Sequence, residues 1–257
     1  MRTTLLIAIL VCAHARADEP HWANEEAHRL AEQATVLHKQ AQQEKSEKKY
    51  EQAHALYQKY LASYPDVSDA QLSYFDAELL FTLKRYAEAA KMYERVFTIA
   101  PNGKYAAESA YAYVLSATNN AINEPDSPGG GAPCPSPAPC ALSPDRKRVA
   151  DALERYLTLV PQSKERPAIE YRLARLWYGH NQLDKASPLF EHIFASYPDH
   201  ELATYSANLA IDCLVKLKRY GQLSALVERV KKSPAMRDEA VRQSVEAVDA
   251  ALGKQVK

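Results

Sequence analysis

Five regularly spaced prolines constrain the fold of this chain more than any other feature. The intervals between them are 36, 60, 37 and 36 residues, and the five are Pro65, Pro101, Pro161, Pro198 and Pro234. A recurring period of this length is typical of repeat proteins, in which each unit is one supersecondary element that stacks on the next. The long interval exceeds its neighbours by 24 residues, and the segment 121–144 has that length and carries seven prolines and a Gly-Gly-Gly run. We therefore expect one insertion, at 121–144.

Each repeat contains two segments with a helical pattern. The second segments align as 50–65, 86–101 and 183–198, with Ala at the fourth position, an aromatic residue at the eighth and Pro at the end. In the segment before 86–101, apolar residues recur at intervals of three and four, which places them on one face of a helix. Proline cannot donate a backbone hydrogen bond and disfavours helix at the preceding residue, so each second helix should end there. The pattern predicts helical hairpins.

This arrangement resembles the tetratricopeptide repeat (TPR) family over roughly 41–234. The family motif has a small and an aromatic residue in the first helix, as at Ala174 and Trp177, followed by Ala, an aromatic residue and Pro in the second. The resemblance implies an all-α fold, a right-handed superhelical solenoid of antiparallel helix pairs, with the Pro/Gly-rich insertion in the third of five hairpins. We expect an opening helix over 23–49 and a closing helix over 237–252, within a C-terminal capping region, 235–257.

The N-terminus has the pattern of an export signal. A basic residue, Arg2, precedes a short apolar run, and Ala15 and Ala17 form a small-residue cleavage motif. The apolar run is too short to cross a bilayer core, which takes about 20 helical residues. We expect a signal peptide over 1–17 and a mature repeat domain over 18–257. The alternative is a lipoprotein anchored at Cys12, which the large Val11 before it disfavours.

Charge and composition disfavour nucleic-acid binding and catalysis. Without residues 1–17 the chain has 30 basic and 32 acidic residues, a net charge of 30 − 32 = −2, whereas nucleic-acid binding relies on clustered Lys and Arg. The eight histidines show no metal-binding spacing, and neither a Gly-x-Ser-x-Gly motif nor a glycine-rich phosphate loop occurs. We predict a protein that is not an enzyme and uses no metal or cofactor.

The cysteines predict one disulfide. Cys134 and Cys140 lie together in the insertion, and an exported chain meets an oxidising compartment, so a bond between them is expected. Two free thiols are the alternative. A zinc site or a thiol oxidoreductase would need the Cys-x-x-Cys spacing, which this pair lacks. Cys213 lies among apolar residues of a predicted first helix, and we interpret it as a buried, unpaired thiol.

Aromatic and basic residues of the first helices are candidates for a partner-binding groove. Tyrosine is abundant, and its ring combines contact area with a polar group. The candidates are Tyr74, Tyr111, Tyr171, Arg172, Arg175 and Tyr178. The competing interpretation is that most of these rings pack between helices. TPR domains that bind a C-terminal carboxylate use Lys, Asn and Arg at set positions, and Tyr74 and Glu78 stand there in the second unit, so we do not expect that mode.

Two phrases add a finer resemblance within the TPR family. Tyr-Pro-Asp at 64–66 and Tyr-Pro-Asp-His at 197–200 are similar to exported TPR proteins of the Gram-negative envelope, such as an outer-membrane assembly lipoprotein, the Tol-Pal coordinator and gliding-machinery proteins. This resemblance implies a periplasmic or secreted scaffold whose partners are other envelope proteins. The alternative it leaves open is an outer-membrane lipoprotein subunit of an assembly, transport or motility machine, with a lipid-anchored or peripheral association with the membrane.

Overall fold

A computed structural model describes residues 24–65, 69–121, 134 and 138–255. The predicted signal peptide, Cys12 and most of the predicted insertion lie outside these residues. The chain divides into two compact units, Met1–Asp69 and Ala70–Lys257, which are described separately below. In the described ranges the secondary structure is entirely helical, with eleven α-helices and one 3-10 helix, which confirms the predicted all-α class. None of the helices described is long and apolar enough to cross a membrane.

The described residues of the first unit form a helical hairpin of α1 (Glu25–Glu44) and α2 (Glu47–Ser63). Asn24 begins α1 by accepting a hydrogen bond from the N–H of Ala27 at 2.9 Å. The buried face of α1 is mostly alanine, so the tyrosines of α2 can pack closely against it. Those tyrosines are Tyr50, Tyr57 and Tyr60.

The first unit differs from the sequence prediction at its turn. We expected one opening helix over 23–49 followed by five hairpins, but α1 ends at Glu44 and is itself the first helix of the first hairpin. Lys45 adopts a left-handed conformation (φ 51°), and Ser46 caps α2 by accepting from the N–H of Lys49. Neither Gly nor Pro marks this turn, which is why the apolar pattern alone runs across it.

The second unit consists of helices that each pack against the next along the chain, as far as α10. Its elements are α3 (Ala70–Thr82), α4 (Tyr86–Ile99), α5 (Ala106–Ala121), α6 (Pro144–Leu159), α7 (Arg166–Gly179), α8 (Leu183–Ser196), α9 (Leu202–Lys216), α10 (Tyr220–Lys231), a 3-10 helix (Pro234–Arg237) and α11 (Glu239–Gln255). The closing helix, predicted over 237–252, is α11, and it packs against α9 and α10. Short turns between packed neighbours make the pairs antiparallel.

The turns inside the hairpins share one conformation. A non-glycine residue in the left-handed region joins α3 to α4, α7 to α8, and α9 to α10, and these residues are Lys84, Asn181 and Lys218. In each case the N–H of the following residue bonds back to a carbonyl five positions earlier, for example Arg85 to Leu80 at 2.9 Å. This is the Schellman motif, which satisfies carbonyl groups at the end of the first helix. Between hairpins, the helices end before the repeat prolines, as predicted.

Small residues lie at the centre of the helix pairs. Ala77 and Ala89 of the pair α3 and α4 are fully buried, and so are Ala174 and Ala186 of the pair α7 and α8. A methyl side chain lets two helix backbones approach closely, and larger rings such as Phe190 fill the space beside them. The recurring spacing of Ala and aromatic residues in the repeats is therefore a packing pattern.

The insertion takes the place of a turn. Helix α5 ends at Ala121 and α6 begins at Pro144, so the segment between them stands where the other hairpins have a short turn. Ser143 caps α6 by accepting from the N–H of Arg146 at 3.2 Å, and Pro144 occupies the first helical position, where its missing N–H costs nothing.

Candidate protein-binding surface

The first helices of the four hairpins in the second unit are linked by side-chain contacts. These helices are α3, α5, α7 and α9, and we call the surface that they form the first-helix surface. All six predicted groove residues lie on α3, α5 or α7. The contacts between these helices determine which of the six are accessible and what charge surrounds them.

Tyrosine rings join α3 to the start of α5. The rings of Tyr74 and Tyr105 are stacked with centroids 4.5 Å apart, and the Tyr74 hydroxyl also hydrogen bonds to Glu108. Tyr74 is only 6% exposed, so its ring lies beneath the first-helix surface. Lys104 lies over the Tyr105 ring, with Nζ 5.1 Å from the centroid, which is within cation–π range.

A half-buried carboxylate lies one turn further along α3. The hydroxyl of Tyr93, on α4, donates to Oε1 of Glu78 at 2.5 Å. Burial raises the pKa of Glu78, and the nearby Glu108 raises it further, whereas the bond from Tyr93 lowers it. Burial, followed by the charge of Glu78, raises the pKa of Tyr93 as well. The α3–α5 end of the surface is therefore acidic, with two like charges near each other.

Arginine joins α7 to α5. Nη2 of Arg172 donates to Oγ1 of Thr118 at 2.8 Å, and burial lowers the pKa of this guanidinium. Within the part of the chain that the structure describes, no carboxylate forms an ion pair with Arg172. A partly desolvated cation that bonds only to a neutral hydroxyl keeps much of its capacity to bind an anion.

The remaining predicted groove residues differ in exposure. Arg175 is exposed and lies on the same face of α7 as Arg172, three positions away. The rings of Tyr111 and Tyr171 are half-buried against Tyr156 and Phe190, with centroid distances of 5.8 Å in both cases. Both rings thus pack against the next helix and remain partly exposed.

A second polar contact joins α7 to α9. The hydroxyl of Tyr178 donates to Oδ2 of Asp212 at 2.6 Å, and Nζ of Lys216 donates to the same hydroxyl at 2.9 Å. Lys216 also pairs with Asp212 at 2.6 Å. The charges of Lys216 and Asp212 compensate each other. This group is therefore less suited to bind an external ion than Arg172 or Arg175.

The end of the insertion is attached to the next hairpin. Cys134 and Cys140 form a disulfide, with Cα atoms 6.1 Å apart. The backbone N–H of Cys140 donates to the carbonyl of His180 at 3.0 Å, and Nε2 of Gln182 donates to the carbonyl of Cys140 at 2.9 Å. His180 and Gln182 belong to the turn between α7 and α8, so Cys140 lies against that turn.

A buried arginine and histidine support this attachment. Nδ1 of His180 donates to the carbonyl of Leu176 at 2.9 Å, since a carbonyl can only accept. Nε2 of the ring is therefore free to accept from Nη1 of Arg146, 3.0 Å away. Both side chains are buried, and they connect the start of α6 to the end of α7 beneath the disulfide loop.

The other sequence predictions concern single residues. Cys213 is buried and unpaired, as predicted, and burial raises its pKa to about 12. Nδ1 of His200 accepts a hydrogen bond from the N–H of Leu202, the first residue of α9. Sequence reasoning missed the contribution of Glu108 to the surface. Its position three residues before Tyr111, on the same helical face, was the available signal.

The comparisons with known proteins agree with this architecture. Residues 45–120 match the family model described as tetratricopeptide repeat, so this part of the chain is similar to TPR units. No curated protein sequence matches the chain.

Several solved structures are similar to the chain. MamA from Desulfovibrio magneticus RS-1 is 14% identical, with 84% of this chain and 96% of that chain covered and a TM-score of 0.41. A putative kinesin light chain with TPR-like repeats from Podosopora anserina is 14% identical, with 89% and 99% covered and a TM-score of 0.39. BtubC from P. vanneervenii is 17% identical, with 89% and 87% covered and a TM-score of 0.39.

Proposed function

We propose that the chain is a non-catalytic scaffold that binds another protein on the first-helix surface of its second unit. The observation that carries this proposal is the pair Arg172 and Arg175, one half-buried and one exposed, on a helix flanked by tyrosine edges. Arginine and tyrosine are enriched at the centres of protein interfaces. The similarity of residues 45–120 to TPR units supports a protein-binding role in general.

We further propose that this scaffold acts in the bacterial envelope, exported to the periplasm or secreted after cleavage at Ala17. The signal-like N-terminus supports export. The disulfide between Cys134 and Cys140 is compatible with it, because such bonds persist in oxidising compartments. Its partners would then be other envelope proteins.

The second candidate is a lipoprotein subunit of an envelope machine, anchored to the outer membrane through Cys12. The observation that favours it is the cysteine at the end of the N-terminal apolar run. Mass spectrometry of the N-terminus of the protein purified from cells distinguishes the two. A chain that begins at Asp18 supports the soluble exported form, and a diacylated Cys12 supports the anchored form.

Affinity purification of the exported protein tests the binding role. We expect one partner in stoichiometric amount with the wild type and a strong loss of it with Arg175→Glu. The matched control is Lys91→Glu, because Lys91 is an exposed cation on α4, a second helix. Retention of the partner by Arg175→Glu, or equal loss with both variants, would remove the first-helix surface as the binding site.

A further inference from the structure

The first-helix surface carries two positive charges that the protein does not neutralise. Arg172 donates to the hydroxyl of Thr118, and Arg175 makes no hydrogen bond or ion pair within the described ranges. Other arginines, such as Arg148, Arg219 and Arg242, pair with a carboxylate. Two guanidinium groups one turn apart suit a carboxylate, which can accept two N–H bonds from one fork.

The same surface carries two negative charges that are likewise uncompensated. Glu78 receives a hydrogen bond from Tyr93, and Glu108 accepts one from Tyr74, but neither forms an ion pair with Lys or Arg among the residues described. Each carboxylate raises the free energy needed to ionise the other, since they are like charges and Glu78 is half-buried. A cation placed between them would relieve that repulsion.

Helix α5 sets the distance between the two charged groups. Glu108 lies near its start and Thr118, the partner of Arg172, lies ten positions further on (118 − 108 = 10). At 1.5 Å per residue this corresponds to about 15 Å along the helix. An extended peptide rises about 3.3 Å per residue, so about five residues span this distance.

We propose that the partner of this surface is an extended polypeptide segment with a basic side chain at the α3–α5 end and an acidic side chain about five residues away, over α7. The basic group sits between Glu78 and Glu108, the acidic group pairs with Arg172 and Arg175, and the edges of Tyr111 and Tyr171 contact the residues between them. This inference rests on the proposed function and adds the chemistry of the partner. A segment with acidic side chains at both positions would place like charges together at the α3–α5 end.

A peptide library tests the inference, because it samples many charge patterns at once. The probes are random dodecapeptides on beads, acetylated at the N-terminus and amidated at the C-terminus, so that only side-chain charges can bind. They are screened against the full mature chain. We expect enrichment of peptides with Lys or Arg and, about five residues away, Asp or Glu.

Three variants test which residues of the protein contact each end of the enriched peptides. Arg175→Gln, an exposed position that leaves packing intact, should weaken the best peptide by about tenfold through loss of the acidic contact. Glu108→Gln should weaken it by a similar factor through loss of the basic contact, and Lys91→Gln should have no effect. Higher salt should weaken the wild-type complex more than either of the first two variants.

The possible results separate this inference from the proposed function. Enriched peptides without the charge pattern, or with affinities unchanged by Arg175→Gln and Glu108→Gln, would overturn the inference while leaving a peptide-binding protein in place. Failure to enrich any peptide would contradict both the inference and the first-helix surface as a peptide-binding site.

Discussion

The backbone N–H of Cys140 donates to the carbonyl oxygen of His180 at 3.0 Å, across the boundary between two hairpins. This bond joins the end of the inserted segment to the turn between α7 and α8, and the side chain of Gln182 returns a bond to Cys140. The insertion therefore ends at a fixed position, next to the helix that carries Arg172 and Arg175.

Removing the disulfide should loosen this attachment locally. In the double variant Cys134→Ser and Cys140→Ser, a short loop loses its cross-link, which is worth about 2 kcal/mol in the chain-entropy account. We expect the amide at position 140 to exchange with solvent about tenfold faster or more, by hydrogen exchange, while the amides of α3 and α4 are unchanged. Cys213→Ala serves as a control that removes a thiol elsewhere. Equal exchange at position 140 in all three proteins would contradict the role of the disulfide.

The left-handed turn residues predict a stabilising substitution. Lys84 has φ 61°, a conformation that costs an L-residue about 1 kcal/mol and a glycine almost nothing. Lys84→Gly should therefore raise the free energy of unfolding by roughly 0.5–1 kcal/mol, measured by urea denaturation. The same change at Lys91, in the interior of α4, should lower it by about 1 kcal/mol. Two effects of the same sign would contradict the assigned turn.

The turn at Lys45 shows how far sequence patterns can predict this fold. The alternation of small and large apolar residues and the repeat prolines predict the hairpins and their ends, because both record local packing and backbone constraints. The break between α1 and α2 was missed because Lys45 adopts the left-handed conformation, and lysine is not a residue type that indicates this conformation. Only Ser46, a favourable N-cap residue, indicated it.

The alanines at the helix crossings predict a matched pair of effects. Ala89 is fully buried where α3 and α4 meet, whereas Ala87 is an exposed residue of the same helix. Ala89→Leu should lower the free energy of unfolding by about 1–3 kcal/mol because the helices would have to separate. Ala87→Leu should change it by less than about 0.5 kcal/mol. Thermal or urea denaturation measures both, and equal effects would contradict the close approach at Ala89.

The first unit should lose stability in mild acid. His38 is 6% exposed, and Nε2 accepts from Gln42 while Nδ1 bonds to the hydroxyl of Tyr57, so the ring is neutral. Burial lowers its pKa from 6.5 to about 4. Between these values the unfolded chain binds a proton that the folded chain does not, so stability is intact above pH 6.5 and falls as the pH approaches 4.

The size of this loss follows from the pKa shift. It amounts to about 3 kcal/mol at full extent, or close to 1.4 kcal/mol per pH unit, in the free energy of unfolding. Circular dichroism during urea denaturation at several pH values measures it. His38→Gln should flatten the pH dependence of the free energy of unfolding over this range. An undiminished pH dependence in that variant would show that other groups cause the effect.

The composition of the first-helix surface could be predicted only in part. Helical spacing places Arg175 beside both Arg172, three positions earlier, and Tyr171, four positions earlier, on the surface of α7, and this required no structure. The contact of Glu108 with Tyr74 joins residues of different helices, and it depends on how α5 is rotated against α3. The absence of a carboxylate beside Arg172 in the described residues also depends on long-range packing, which periodicity does not determine.

Site-specific photo-crosslinking tests the central claim, that the first-helix surface binds another protein, most directly. A benzophenone amino acid is introduced in cells in place of Tyr111 or Tyr171 and, as a control on a second helix, in place of Lys91. The account predicts one discrete adduct of the same mass from positions 111 and 171 and none from 91. Adducts from position 91 alone, or no adduct from either first-helix position, would contradict it.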